Sequence, residues 1–254
     1  TVCQLQVDAH GREAEWLQLQ NHLHAEQSDF LLMPEMPFAP WLASSPDFNP
    51  EDWQQAVEAH EAWIGRLDEL GVPTVASTRP VNTGTRRHNQ AYVWQSGESL
   101  IDAHDKFYLP DEDYYWEASW YQPPDAPHFE ACQAGSTVVG FQICTEMWFM
   151  QHARDYGKQG VQLNLVPRAT PHESTAKWVA GGQAAAVISG AYCLSSNLFS
   201  RPGAEANLGG VAFICGPEGD VLATTDAGQP FATLDIDLDL ADQAKATYPR
   251  YVIE

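Results

Sequence analysis

Residues 138–167, VVGFQICTEMWFMQHARDYGKQGVQLNLVP, confine the fold more than any other stretch. An apolar run of strand length, VVGFQI, stops at Cys144. A segment with helical character follows, and a second apolar run, VQLNLVP, closes the unit. Strand, helix and strand in succession belong to α/β architectures, where helices cover the faces of a sheet. The alternation extends over the chain. Strand-length runs recur at TVCQLQV, FLLMP, VPTVAS, QAYVW, SLIDA, AYCLSSN, VAFICG and FATLDID. Many contain Val, Ile, Tyr or Phe, and Gly, Pro or polar turns bound them.

Helices are expected over about residues 13–26, 50–70 and 174–189. In the second, Asn49 suits the N-cap, Pro50 the first helical position and Gly71 the stop, with Trp53, Val57, Ile64 and Leu67 on one face. The third is rich in Ala and Gly, which predicts close packing against a neighbour. CGPEGDVLATT reads as a hairpin turning at residues 217–220. With no long linker and no fixed-period repeat, residues 1–254 are expected to form a single domain.

Charge removes whole classes of function. Thirteen Lys and Arg stand against 34 Asp and Glu, a formal net charge of −21. Such a surface repels phosphate backbones and anionic lipid, since both are bound through basic side chains that release counterions. Neither a nucleic acid nor a membrane is an expected partner. No apolar run approaches the ~20 residues that cross a bilayer. Five cysteines, at 3, 132, 144, 193 and 215, are odd in number and form no C-x-x-C pair. That spacing argues against a disulfide framework or structural zinc and fits a reduced, cytoplasmic protein.

Three residues end three strand-like runs. Cys144 lies where the pattern changes from strand to helix. There the first free N–H groups of a helix would lower a thiol's pKa and supply oxyanion donors. Lys106, one of only four lysines, ends SLIDAHDK before a dense group of aromatic and acidic residues. Glu35 ends DFLLMPE in a Pro- and Phe-flanked turn, where desolvation would raise a carboxyl's pKa towards the range of a general base. Taken singly, each has a plainer reading: a buried thiol, a strand-end lysine paired with a neighbouring acid, a solvated loop glutamate.

Taken in order, strand–Glu, strand–Lys and strand–Cys–helix resemble the nitrilase superfamily of carbon–nitrogen hydrolases. The resemblance runs from LLMPE through HDKFYLP and GFQICTE to GPEGDVL and TLDIDLD, and RHNQAYVW looks like the strand before the family's lysine. It implies an αββα sandwich and a Glu–Lys–Cys triad of Glu35, Lys106 and Cys144, with a second glutamate after the lysine. KFYLPDEDYYWEASWY selects Glu117 for that place over Glu112 or Asp113. The implied chemistry is hydrolysis of a non-peptide carbon–nitrogen bond through a thioester, with the backbone of Thr145 as an oxyanion donor and no metal or organic cofactor. CTEM departs from the Cys-Trp-Glu of nitrilases and from the Asp common in amidases. A chain of this length points to an amidase or carbamoyl-amide hydrolase, with a nitrilase, a membrane-free acyltransferase relative or a non-catalytic scaffold as alternatives.

Arg168, in LVPRATPHE, is expected on a loop bordering the substrate, where a guanidinium could take a carboxylate. Tyr114, Tyr115, Trp116 and Trp120 are expected to wall the pocket. A homodimer or higher homo-oligomer is expected too, because Trp148, Phe149 and Met150 exceed what one buried helix face can take. A metal hydrolase is set aside: NHLH lies on a surface helix, and His152 and His172 have no partner at ligand spacing.

Overall fold

Strand β1 (Val2–Gln6) belongs to both halves of one large sheet. The structure, a computed structural model, describes residues 1–7, 11–201, 203–204 and 206–252. After β1 come α1 (Arg12–Ala25), β2 (Phe30–Leu32), α2 (Pro50–Ile64), the long hairpin β3 (Thr74–Thr83) and β4 (Arg86–Gln95), and β5 (Ile101–Asp105). A short helix α3 (Glu117–Trp120) leads to β6 (Cys132–Ala134), β7 (Thr137–Phe141), α4 (Met150–Lys158), β8 (Leu163–Arg168), α5 (Thr175–Ser189) and β9 (Tyr192–Phe199). Then follow β10 (Phe213–Cys215), β11 (Val221–Thr224), β12 (Phe231–Ala232) and α6 (Leu238–Ala244).

Val2 pairs with Leu32 of β2, whereas Gln4 to Gln6 pair with Asn197 to Phe199 of β9. The strand order is therefore β5-β4-β3-β2-β1-β9-β8-β7-β6, with β10 and β11 beside β9 and β12 beside β1. Side chains alternate by twos, as a pleated strand requires. Leu31, Val75 and Tyr92 point outward to Trp16, Leu19 and Leu23 of α1. Leu32, Ala76, Ala91 and Val93 point inward and share a core with Val139, Phe141, Leu163 and Leu165 of the other half. Two sheet halves face each other, α1 and α2 lie against one and α4 and α5 against the other. The result is an αββα sandwich.

Strand direction decides where the chain can put a site. β1, β2 and β3 are mutually parallel, and so are β1, β9, β8 and β7. β5 is antiparallel to β4, which is antiparallel to β3, so β5 regains the common direction. The residues just past β2, β5 and β7 therefore leave the sandwich at one end. Those residues lead to Glu35, Lys106 and Cys144.

Several local readings need correcting. The second helix stops at Ile64, not before Gly71. Beyond it the chain tightens into a 3₁₀ turn over Leu67–Leu70 that buries both ends of the turn, and Gly71 closes it at φ 68°. Asn49 does cap: its side chain accepts from Glu51 N at 2.9 Å. The close approach expected of the third helix is real, because a Cβ on Gly182 would stand 2.3 Å from the Phe213 ring. Strand β6 was not foreseen in the sequence, nor was the continuation of β3 through Pro80. The apolar surplus of Trp148, Phe149 and Met150 is taken up only in part within the chain, since Trp148 stays 44% exposed. A break at Phe149 sends the three in different directions: Trp148 onto Trp178, Phe149 onto Tyr108 in a 3.5 Å stack, Met150 towards the core.

Candidate active site

Pro34 lies just past β2, and the turn that follows is held by β3: Ser77 Oγ donates to Pro34 O at 2.8 Å and Met36 N donates to Thr78 Oγ1 at 2.9 Å. Between these anchors Glu35 is fully buried. Its Oε1 accepts from Asn89 Nδ2 and from Lys106 Nζ, at 2.7 and 2.8 Å. Its Oε2 is buried with no hydrogen-bond partner among the described residues. Asn89 was not singled out in the sequence, yet β4 carried the signal. Asn89, Ala91 and Val93 share a face, and the latter two point into the core, so a polar residue at that parity must meet a buried partner.

Lys106 follows β5, its N–H held by Asn89 O at 2.9 Å. The ammonium reaches both oxygens of Glu117, at 2.8 and 2.6 Å, as well as Glu35. Glu117, on the four-residue α3, is the acid that meets the lysine; Glu112 and Asp113 are exposed. Burial works against the ammonium, but Glu117 and Glu35 together outweigh it and hold the Lys106 pKa well above its ordinary value. Burial raises the carboxyl pKa of Glu117, against the pull of Lys106. Two carboxylates thus share one buried cation.

Cys144 lies just past β7 and is 4% exposed. Tyr156 fixes that strand end: its hydroxyl donates to Phe141 O at 2.8 Å and accepts from Phe141 N at 3.1 Å. Cys144 has φ 49°, a left-handed conformation that costs a side-chain-bearing residue energy and persists only where surrounding structure imposes it. No α-helix starts there. A 3₁₀ turn spans Cys144–Trp148, and α4 begins at Met150. The expected lowering of the thiol pKa by a helix terminus is reversed. Burial, then Glu35, raises it, and Lys106 and the Ala169 backbone N–H only partly oppose them.

Cys144, Thr145 and Glu117 line a cavity of about 270 Å³ with Tyr115, Trp148 and Trp178. Of the four aromatic residues expected there, only Tyr115 faces it. Trp120 packs under Phe48, and Tyr114 is exposed. Arg168 is not on a loop. It ends β8, 1% exposed, with Nε donating to Ser195 Oγ, NH1 to Thr170 Oγ1 and NH2 to Val211 O, at 2.6, 2.7 and 2.8 Å. Each guanidinium nitrogen has a protein partner, so Arg168 braces the floor of the site. The pairing of Arg168 with Asn197 on β9 carries it into the core, a long-range register that the local sequence does not announce. The cation on the cavity wall is the exposed Lys177.

The sequence profile of the carbon–nitrogen hydrolase family matches residues 1–246. The N-carbamoylputrescine amidase of Arabidopsis thaliana is 25% identical over 197 residues, covering 71% of this chain and 64% of that protein. The chain thus spans somewhat under two thirds of that relative. In three dimensions it is similar to a carbon–nitrogen hydrolase from Helicobacter pylori G27, with TM-score 0.84, 18% identity, and 98% and 92% of the two chains covered. It is also similar to a variant of the amidase from Nesterenkonia sp. AN1 whose active-site cysteine carries the acetamide moiety of fluoroacetamide. There the TM-score is 0.70 at 18% identity, covering 88% of this chain and 83% of that one.

Proposed function

The chain belongs to the carbon–nitrogen hydrolase family, and from that premise we propose that it is a cysteine-dependent amidase acting on a small amide or N-carbamoyl compound. One observation carries the reading. Glu35 commits Oε1 to Asn89 and Lys106 and leaves Oε2 buried and unpartnered among the described residues, while its charge, after burial, raises the pKa of the Cys144 thiol. A carboxylate oxygen without a partner is costly in a core, and it is the atom a general base must keep free.

In this reading Glu35 Oε2 takes the proton of Cys144 Sγ as the sulfur attacks the amide carbon. The new C–S bond moves the carbonyl electrons onto oxygen, where the Lys106 ammonium and the Thr145 N–H stabilise the charge. The tetrahedral species collapses by breaking the C–N bond, and the nitrogen leaves with the proton that Glu35 returns. Water then attacks the thioester, Glu35 again taking the proton and handing it to the departing sulfur. Glu117 keeps Lys106 charged and aimed throughout. A thiol that is neutral at rest fits this scheme, since the proton leaves only as the C–S bond forms.

A cavity of about 270 Å³ suits a small substrate. The amidase names of the Arabidopsis and Nesterenkonia proteins favour an amide over a nitrile. The decisive experiment measures ammonia release from acetamide, propionamide, simple N-carbamoyl amines and the matching nitriles, with mass spectrometry of the quenched enzyme. The expected outcome is turnover of at least one amide and an acyl mass increment on Cys144. Turnover that survives Cys144→Ala would sink the reading.

A further inference from the structure

Two residues beyond Cys144, Glu146 is fully buried and is not part of the cavity wall. Its carboxylate collects three donors. Oε2 accepts from Ile143 N and faces His104 Nε2, each at 2.8 Å, and Oε1 accepts from Phe107 N at 2.8 Å. Ile143 immediately precedes Cys144, and Phe107 immediately follows Lys106. One carboxylate therefore ties the backbone beside the thiol to the backbone beside the ammonium, across strands β7 and β5 of opposite sheet halves.

His104 completes the arrangement. Its Nδ1 faces His128 O at 2.9 Å. A carbonyl can only accept, so Nδ1 carries a hydrogen. A carboxylate that already takes two backbone N–H groups takes a third from Nε2. Both ring nitrogens then donate, and the ring is an imidazolium matched by one buried carboxylate. Burial disfavours that cation, but Glu146 more than compensates, and the His104 pKa is raised.

We propose that Glu146 and His104 are positioning residues for the reaction, holding Cys144 and Lys106 in register while His104 is protonated. The inference rests on the reading of Cys144 as nucleophile and Lys106 as oxyanion partner. When the proton leaves, the Nε2 lone pair faces a carboxylate oxygen, and the tie between the two segments loosens. Other charges around the pair do not replace that proton. Asp105, on the same strand, adds to the hold on it; Glu117, beyond Lys106, is held by that lysine. His128 offers its carbonyl, and its ring pairs with Glu130 at the surface. His152, on α4, meets Tyr108 Oη at 2.9 Å, and burial lowers its pKa. A histidine whose folded pKa is raised contributes fully below its ordinary value and loses the contribution as pH rises through the raised one. The loss therefore comes as pH rises above the ordinary histidine range.

The test compares wild type, His104→Gln and Glu146→Gln in propionamide turnover from pH 6 to pH 10, with thermal unfolding in parallel. Glu146→Gln is expected to lower kcat roughly a hundredfold with KM little changed, as a small misplacement of reacting groups does. His104→Gln, which cannot titrate, is expected to lower kcat at neutral pH and to remove the loss of kcat expected of wild type as pH rises. Variants that unfold at lower temperature yet keep the wild-type kcat and pH profile would overturn the proposal. Should either variant fail to fold, ¹⁵N-histidine spectra of the wild-type protein decide. One histidine must keep both ring N–H signals to a higher pH than the other histidines of the chain, and titration of all of them together overturns the protonated pair. A wild type with no turnover at all fails differently: it removes the amidase reading and the positioning role with it.

Discussion

The Lys106 ammonium lies 2.8 and 2.6 Å from the two oxygens of Glu117, with neither side chain more than 1% exposed. Removing one partner of a buried pair strands the other, at a cost of about 3–5 kcal/mol. Lys106→Met is therefore expected to lower the unfolding temperature and, separately, to cut kcat by roughly 10²–10³, the cost of an oxyanion donor. Glu117→Gln keeps one oxygen for the ammonium but not the second charge, and should lose kcat in the same range. Asp113→Asn, at an exposed position off the cavity wall, is the control and should leave kcat unchanged. A Lys106→Met enzyme that is less stable but equally fast would reduce the lysine to a structural ion pair.

Burial and Glu35 raise the thiol pKa of Cys144. A raised folded pKa keeps the group protonated at neutral pH, and its contribution to stability, full below the ordinary thiol value, is lost as pH rises from there through the raised one. Alkylation of Cys144 by iodoacetamide, followed by peptide mass spectrometry, should accelerate up to and beyond pH 9. A reactivity plateau near pH 6 would mean a preformed thiolate and would contradict the proposed proton transfer to Glu35. Cys144→Ala should abolish turnover and leave the unfolding temperature nearly unchanged at neutral pH, since a small buried group is replaced by a slightly smaller one.

Two of the strand ends were legible because a charge does not belong in an apolar run: Glu35 and Lys106 stand out against FLLMP and SLIDA. Cys144 was legible by its place, where VVGFQI gives way to a helix-like pattern, and parallel strands then bring such ends together. Glu117 needed the resemblance, because nothing in DEDYYWE distinguishes its acids by period. Asn89 could have been read from the alternation of β4. The positive φ of Cys144 could not, since only tertiary context imposes it on a residue with a side chain. Nor could the His104–Glu146 pair, whose members lie 42 residues apart and meet only after both sheet halves have formed.

Self-association can draw on the C-terminal tail as well as on the Trp148–Met150 segment. Tyr248, Tyr251 and Val252 are 73%, 61% and 46% exposed, and Tyr248 and Val252 border a groove with Met150 and Ile188. Arg154 ties this tail to α4 through Arg250 O and Val252 O, at 2.9 and 2.8 Å, so the apolar side chains are presented rather than loose. Contiguous exposed apolar surface favours contact with another protein surface. Light scattering is expected to give at least twice the monomer mass, and Tyr251→Asp to reduce it; a monomer at micromolar concentration removes the expectation.

Arg168 and Lys177 divide the work once expected of Arg168 alone. Arg168 is buried, burial lowers its pKa to about 10, and its hydrogen bonds brace Ser195, Thr170 and the Val211 carbonyl. Losing hydrogen bonds to a buried charged group costs about 1.5–3 kcal/mol. Arg168→Ala should thus lower the unfolding temperature by roughly 3–12 °C for a chain of this size. Its effect on turnover should be the same for a neutral amide and for one of equal size bearing a carboxylate. Lys177, exposed on the cavity wall, should behave the other way round. If the substrate is anionic, Lys177→Ala raises KM for the carboxylated amide alone, by no more than the fewfold worth of an exposed pair, and the effect fades as salt is added. The exposed Glu112 on the same wall opposes an anion, so an amide carrying a cationic group should bind better in Lys177→Ala than in wild type. Selective loss of the carboxylated amide in Arg168→Ala, at unchanged stability, would return the guanidinium to the substrate and contradict its role as a brace.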